Sequence, residues 1–195
     1  MSNGLESANP PGASTNTANR HGRWWRVLRH LRFDAADARR VLSADALRCI
    51  EARVVASETR HSGEIRVCIE ASLPLRSLLA NLPVRARALA LFGELRVWDT
   101  EHNNGVLIYL LVAEHAIEIV ADRGLTRHVD GADWQPILLP MQAAFRAGQF
   151  EAGLHAAIDA IDALLREHFA VDPALDPAAG HGANANELPD PPWVV

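Results

Sequence analysis

The sequence predicts an α/β protein, a three-layer α/β/α sandwich around a small mixed β-sheet. Three observations carry this. "GEIRVCIEA" (63–71) alternates in the period of a strand, with Ile65, Val67 and Ile69 on one side and Arg66, Cys68 and Glu70 on the other. "GVLIYLLV" (105–112) is a continuous apolar run, which a strand carries when both its faces are covered. A segment of helical spacing lies between them, so the two strands form a parallel pair joined by a right-handed crossover. "AIEIVA" (116–121) then returns as an antiparallel hairpin strand, and the surrounding helices cover both faces of the sheet.

The elements follow in order. Residues 1–22 are rich in Asn, Ser, Pro, Gly and Ala and are expected to be a disordered tail. Residues 23–42 hold a basic segment and a linker. Ser43 caps a helix through "ADALRCIEARVVASETR", with Leu47, Ile50, Val54 and Val55 on one face. Pro83 opens the crossover helix, with Val84, Ala88, Leu91, Phe92 and Leu95 inward. A third helix carries Trp134, Ile137, Leu138, Met141 and Phe145. Pro136 suits its first turn after an Asp133 cap, whereas Pro140 should break or restart it. Gly148 stops it, and a last helix runs from about 150 to 168 with Phe150, Leu154, Ile158, Ile161, Leu164 and Leu165 inward. The folded unit spans 43–170, and 171–195, rich in proline, is expected to be a disordered tail.

Composition excludes several classes. Hydrophobic residues make up 49% of the 195 and charged residues 22%, enough for a core. A net charge of −5 speaks against a nucleic-acid binder. Cys49 and Cys68 lie in no metal or redox spacing. The apolar run 105–113 is too short to span a bilayer and no export signal is visible, so a cytoplasmic protein, peripheral to the membrane, is expected.

Two features bear on function. A two-residue turn at Glu114-His115 would pair Ala113 with Ala116 and set Asp122 opposite Leu107. The hairpin then gathers Asp99, Thr100, Glu101, His102, Asn103, Asn104 and Asp122 at one end of the sheet. Hard oxygens in one irregular loop suit Ca²⁺ or Mg²⁺, and such an ion could polarise a phosphate ester. The same residues also serve as turn formers and helix caps, with no metal at all. The spacing matches neither an EF-hand nor a phosphate loop. Of the histidines, His61, His115, His128 and His155 are scattered and fit solvated or capping roles, and no nucleophile motif stands out.

The second feature is "RWWRVLRHLRF" (23–33). Drawn as a helix, it gathers Trp24, Trp25, Val27, Leu28 and Leu31 on one side and Arg23, Arg26, Arg29 and His30 on the other. Such a helix either lies on an anionic membrane surface or a partner, or packs its apolar face on its own domain.

"GEIRVCIE", "DTEHNNGVLIYLLVAEHAIEIVADRGL", Trp134, "MQAAFRAGQFEAGLHAAIDAI" and the His168-Phe169 pair together resemble the TPM domain family, over about residues 43–170. The family includes thylakoid-lumen proteins of photosystem II repair and members credited with phosphatase activity or calcium binding. The resemblance is to a short cytoplasmic bacterial branch. It implies a compact α/β/α sandwich, a metal region at Asn103, Asn104 and Asp122 with Asp99 and Thr100 beside them, and a LemA-type membrane protein as partner. Many relatives carry Asp where this chain has Asn103, and a neutral amide there weakens cation binding. The resulting expectation is a non-catalytic accessory domain that works with a membrane-associated partner. The alternative is a divalent-cation-dependent phosphatase using loop 99–104 and Asp122.

Overall fold

The computed structural model describes residues 24–33, 35–129, 131–171 and 186–195. The expected tail 1–22, Arg23 and residues 172–185 lie outside them. Chain order gives α1 (24–30), α2 (Ala35–Val41), α3 (Ala44–Glu58), β1 (Ile65–Glu70), α4 (Leu75–Leu79) and α5 (Val84–Glu94). Then come β2 (Val106–Leu111), a 3₁₀ turn (Val112–Glu114), β3 (Ala116–Ala121), α6 (Arg123–Thr126), α7 (Gly131–Arg146), α8 (Phe150–Phe169) and β4 (Trp193–Val194).

The sheet runs β3-β2-β1-β4, with β1 parallel to β2 and β4 and β3 antiparallel to β2. Its faces bury two clusters. Ile65, Val67, Ile69, Val106, Ile108 and Leu110 pack with residues of α2, α3, α7 and α8. Cys68, Leu107, Tyr109 and Leu111 pack with α1, α4 and α5. The architecture is the three-layer α/β/α sandwich with a mixed sheet, and every residue of β1 and β2 is buried.

Local chemistry sets the element boundaries. Ser43 caps α3, its hydroxyl accepting the Ala46 N–H at 3.1 Å. Ile50 and Val54 are buried on α3, but Val55 points outward, 43% exposed. Gly148 has φ +74° and ends α7, its N–H donating to Phe145 and that of Gln149 to Ala144.

Three sequence expectations need correction. The hairpin register pairs Leu111, not Ala113, with Ala116, because the turn takes four residues. Val112 and Ala113 are buried in the 3₁₀ turn, and His115 closes it in the left-handed region at φ 48°. A slip of two leaves every side chain on its expected face, since strand periodicity is two. Helix α7 starts at Gly131 and runs unbroken through both Pro136 and Pro140. Both prolines are exposed, so water can reach the carbonyls their rings leave free, while the opposite side packs Met141 and Phe145 into the core. The side chain of Asp133 lies outside the described residues. On the other side of β1, Arg66 and Glu70 are buried beside Cys68.

Lastly, residues 186–195, expected to be part of a disordered tail, return to the sheet. Trp193 pairs with Cys68 and Val194 with Ile69. Arg66 holds the approach to this strand by donating to the carbonyls of Pro189 and, at 2.7 Å, of Pro191. The prolines lie before the two-residue strand, where a missing N–H costs nothing to the ladder.

Candidate functional site

The hairpin brings loop 99–104 and Asp122 to one end of the sheet, as its topology requires. Two glycines draw the backbones together. A Cβ on Gly105 would overlap the carbonyl oxygen of Val97, and one on Gly124 would overlap those of His102 and Asn103. The Asp122 N–H donates to the Gly105 carbonyl at 2.9 Å and the Gly124 N–H to that of Asn103 at 2.7 Å. With the register observed, Asp122 stands opposite Gly105 rather than Leu107, closer to the loop than expected.

Most of the candidate ligands are engaged by the fold itself. The Thr100 hydroxyl accepts the Asn104 N–H at 3.1 Å, and its carbonyl accepts that of Asn103. Asn103 turns the chain at φ 52°, a conformation asparagine tolerates, and its Oδ1 accepts Arg123 Nε–H at 2.9 Å. Asp122 Oδ1 caps α6 by accepting the Arg123 N–H at 2.6 Å. Asp99, Glu101 and His102 are exposed, and the Glu101 N–H donates to Glu187.

Two oxygens remain. Asn104 is fully buried, its Nδ2 donates to Ser62 Oγ at 3.2 Å, and its Oδ1 has no hydrogen-bond partner. Asp122 Oδ2 is likewise buried and unpartnered. Flipping the Asn104 amide would only exchange which of its atoms lacks a partner. Such groups cost about 1–3 kcal/mol each, a cost that a hard cation bound to either would relieve. The donors therefore fit Ca²⁺ or Mg²⁺ in kind but supply one carboxylate, and the Arg123 guanidinium stands beside them. Among the described residues, no three His, Cys, Asp or Glu side chains converge to hold a metal ion.

Beside this end lies an acidic pair. Glu58 Oε1 accepts the Ile65 N–H at 2.8 Å, while Glu64, fully buried, accepts that of Leu188 at 3.3 Å and leaves Oε1 unpartnered. Burial pushes Glu58 up to about 8, reinforced by repulsion from Glu64 and Asp190 against the pull of its backbone bond. Burial likewise pushes Glu64 to about 7, opposed by the N–H groups of Glu187 and Leu188.

Elsewhere, Ser57, His61 and Asp162 form a buried triad in composition only. His61 is fully buried, not solvated. Ser57 Oγ donates to Asp162 at 3.0 Å and lies 2.8 Å from His61 Nε2. Ser57 thus bridges Asp162 and His61 inside the core, and no substrate reaches a hydroxyl with no exposed surface. Burial lowers the pKa of His61 against the attraction of Asp162. Asp162 sits four residues after Ile158, inside the apolar stripe of α8, which is the one sequence signal that could have flagged it.

The opposite end of the sheet carries a second buried network that sequence inspection did not single out. Arg87 donates to both oxygens of Glu70 at 3.0 and 2.9 Å, and Tyr109 Oη donates to Glu70 at 2.6 Å. Burial, then the Glu70 carboxylate, drives the Tyr109 phenol far above its ordinary range. Glu114 accepts Arg26 Nε–H at 2.6 Å and His30 Nε2 at 2.8 Å, while His30 Nδ1 accepts the Leu73 N–H at 3.0 Å. Burial raises the Glu114 pKa, but the bonds from His30 and Arg26 outweigh it and hold it below the ordinary carboxylate range.

Comparison with known proteins completes the picture. No curated protein matches the chain. Among solved structures, the NMR structure of the BA42 protein from the psychrophilic bacterium Bizionia argentinensis superposes with a TM-score of 0.65 at 27% identity, covering 78% of this chain and 94% of that one. The TPM domain model matches residues 35–164, from α2 to within α8. This chain belongs to the TPM domain family.

Proposed function

We propose that the chain is a non-catalytic binding domain of the TPM type that works against a membrane-associated partner. The observation that carries this is how loop 99–104 and Asp122 are spent: Thr100 and Asn103 accept bonds from the fold, and Asp122 caps α6. Their geometry serves the backbone first, and the Ser–His–Asp cluster found among the described residues is sealed.

A second use is favoured by Asn104 Oδ1 and Asp122 Oδ2. They would hold a divalent cation, with Thr100, Asn103 and Asp99 close in sequence to complete its shell. Such an ion, when bound, supplies Lewis acidity toward a phosphate ester. With one carboxylate, affinity falls toward the millimolar range of weakly charged calcium sites, about 10⁻⁴–10⁻³ M.

The test pairs a calcium titration followed by amide NMR with hydrolysis of p-nitrophenyl phosphate, both on the full chain. Saturable shifts at 103–105 and 122–124 without turnover are the expected result. Calcium-dependent turnover that Asp122→Ala abolishes would instead make the domain a phosphatase.

A further inference from the structure

Helix α1 docks on the domain by its polar side. Arg26 reaches Glu114, Asn81 Oδ1 at 3.3 Å and the Leu82 carbonyl at 2.8 Å, beyond the end of α4. His30 accepts the Leu73 N–H, before the start of α4. These two tethers lay α1 antiparallel along α4, with Val27 buried between them and the core. Of the two alternatives for its apolar face, packing on the domain holds for Val27 alone: Trp24 is 58% exposed, Trp25 72%, Leu28 50% and Leu31 68%.

Helix α4 continues that surface. Leu75 and Leu79 are 54% and 51% exposed, and Leu31 and Leu75 line one shallow cavity of about 380 Å³. Among the described residues, these six are more than half of the large exposed hydrophobics of the chain. Charge is segregated with them. The sequence holds 24 acidic residues, yet none falls in 7–33 or in 71–93. Arg29, Arg32 and Arg76 are exposed within these stretches. Glu70 also lines that cavity but is paired with Arg87 and Tyr109, and Glu114, in contact with α1, is paired with Arg26 and hydrogen-bonded to His30.

We infer that α1 and α4 together form a face that docks on an anionic lipid bilayer. Tryptophans and leucines with flanking arginines and no acid match the boundary of headgroup and acyl chain. A protein groove would not need both stretches to be free of acid, whereas a negative lipid surface repels every carboxylate near it. The seven residues of α1 alone bury too little, and the side-by-side α4 supplies the missing apolar area. The inference deepens the binding-domain proposal by naming its partner, and it fails separately: turnover decides that proposal, and lipid decides this one.

The test is co-sedimentation of the full chain with vesicles of phosphatidylcholine containing phosphatidylserine, and with phosphatidylcholine alone. Binding is expected to the anionic vesicles only, falling with salt. The Trp24→Ser/Trp25→Ser variant should lose about ten-fold or more in partitioning. Arg29→Gln should lose about five-fold. Leu75→Ser/Leu79→Ser should weaken binding as well, with melting curves showing that each variant stays folded. Binding to neither lipid, or equally to both, would overturn the inference. So would α4 variants that bind like the parent, or a concentration-dependent dimer that the Trp24→Ser/Trp25→Ser variant dissolves, since the occupant would then be a second copy.

Discussion

The two ends of the sheet handle polar groups in opposite ways. At the carboxyl ends of β1 and β2, Glu70 is satisfied by Arg87 and Tyr109, and Glu114 by Arg26 and His30. At the amino ends, Asn104, Glu64 and Asp122 each keep an oxygen that nothing in the fold satisfies. A partnered buried charge specifies one packing, while an unpartnered one stores a cost that a ligand or a proton can remove. The first end is therefore built to be rigid and the second to respond to what the solvent contains.

Breaking the partnered end should have the largest effect. Arg87→Met leaves Glu70 buried without its counter-charge and should destabilise by about 3–5 kcal/mol, read from urea midpoints. Replacing Glu70 by Gln in the same background should recover part of that loss, because the stranded charge goes with it.

The unpartnered end should show itself through pH. Glu58 and Glu64 bind a proton more tightly when folded than their ordinary value of 4.5 allows in the unfolded chain. Their contribution is therefore complete below that value and is lost as pH rises through about 7 and 8. Stability should decline by as much as several kcal/mol from pH 5 to 9. Glu58→Gln/Glu64→Gln should flatten the slope; an unchanged slope would mean that other groups set it.

The smallest effects sharpen the comparison within loop 99–104. Asp122→Ala removes the α6 cap and should cost about 1 kcal/mol in the absence of any ion. Asp99→Ala, at an exposed position, should stay within about 0.5 kcal/mol. If the two cost the same, the cap does not stabilise the fold as described.

Much of this was legible because it is periodic. The alternation of 63–71, the apolar run 105–112 and the helical stripes each respond to burial, which the order of residue types records directly. The convergence of loop 99–104 on Asp122 followed from the hairpin alone. The turn length did not, because nothing in "VAEH" distinguishes a two-residue turn from a 3₁₀ turn closed by a left-handed histidine. Arg66, Glu70, His61 and Asp162 were misjudged or missed because each is a polar residue whose burial depends on a partner from 17 to 125 residues away. The strand at 193–194 hid behind its prolines for the same reason: two residues carry no period.

That short strand has a consequence for how the sheet is assembled in time. β1 and β2 are separated by one crossover and can pair early, at small cost in loop closure. The other edge of β1 waits for a segment that Arg66 meets 125 residues later. During synthesis an apolar strand edge stays open until nearly all of the described chain has been made, and such an edge invites pairing with other chains. The pairing of Trp193 and Val194 then covers that edge at Cys68 and Ile69.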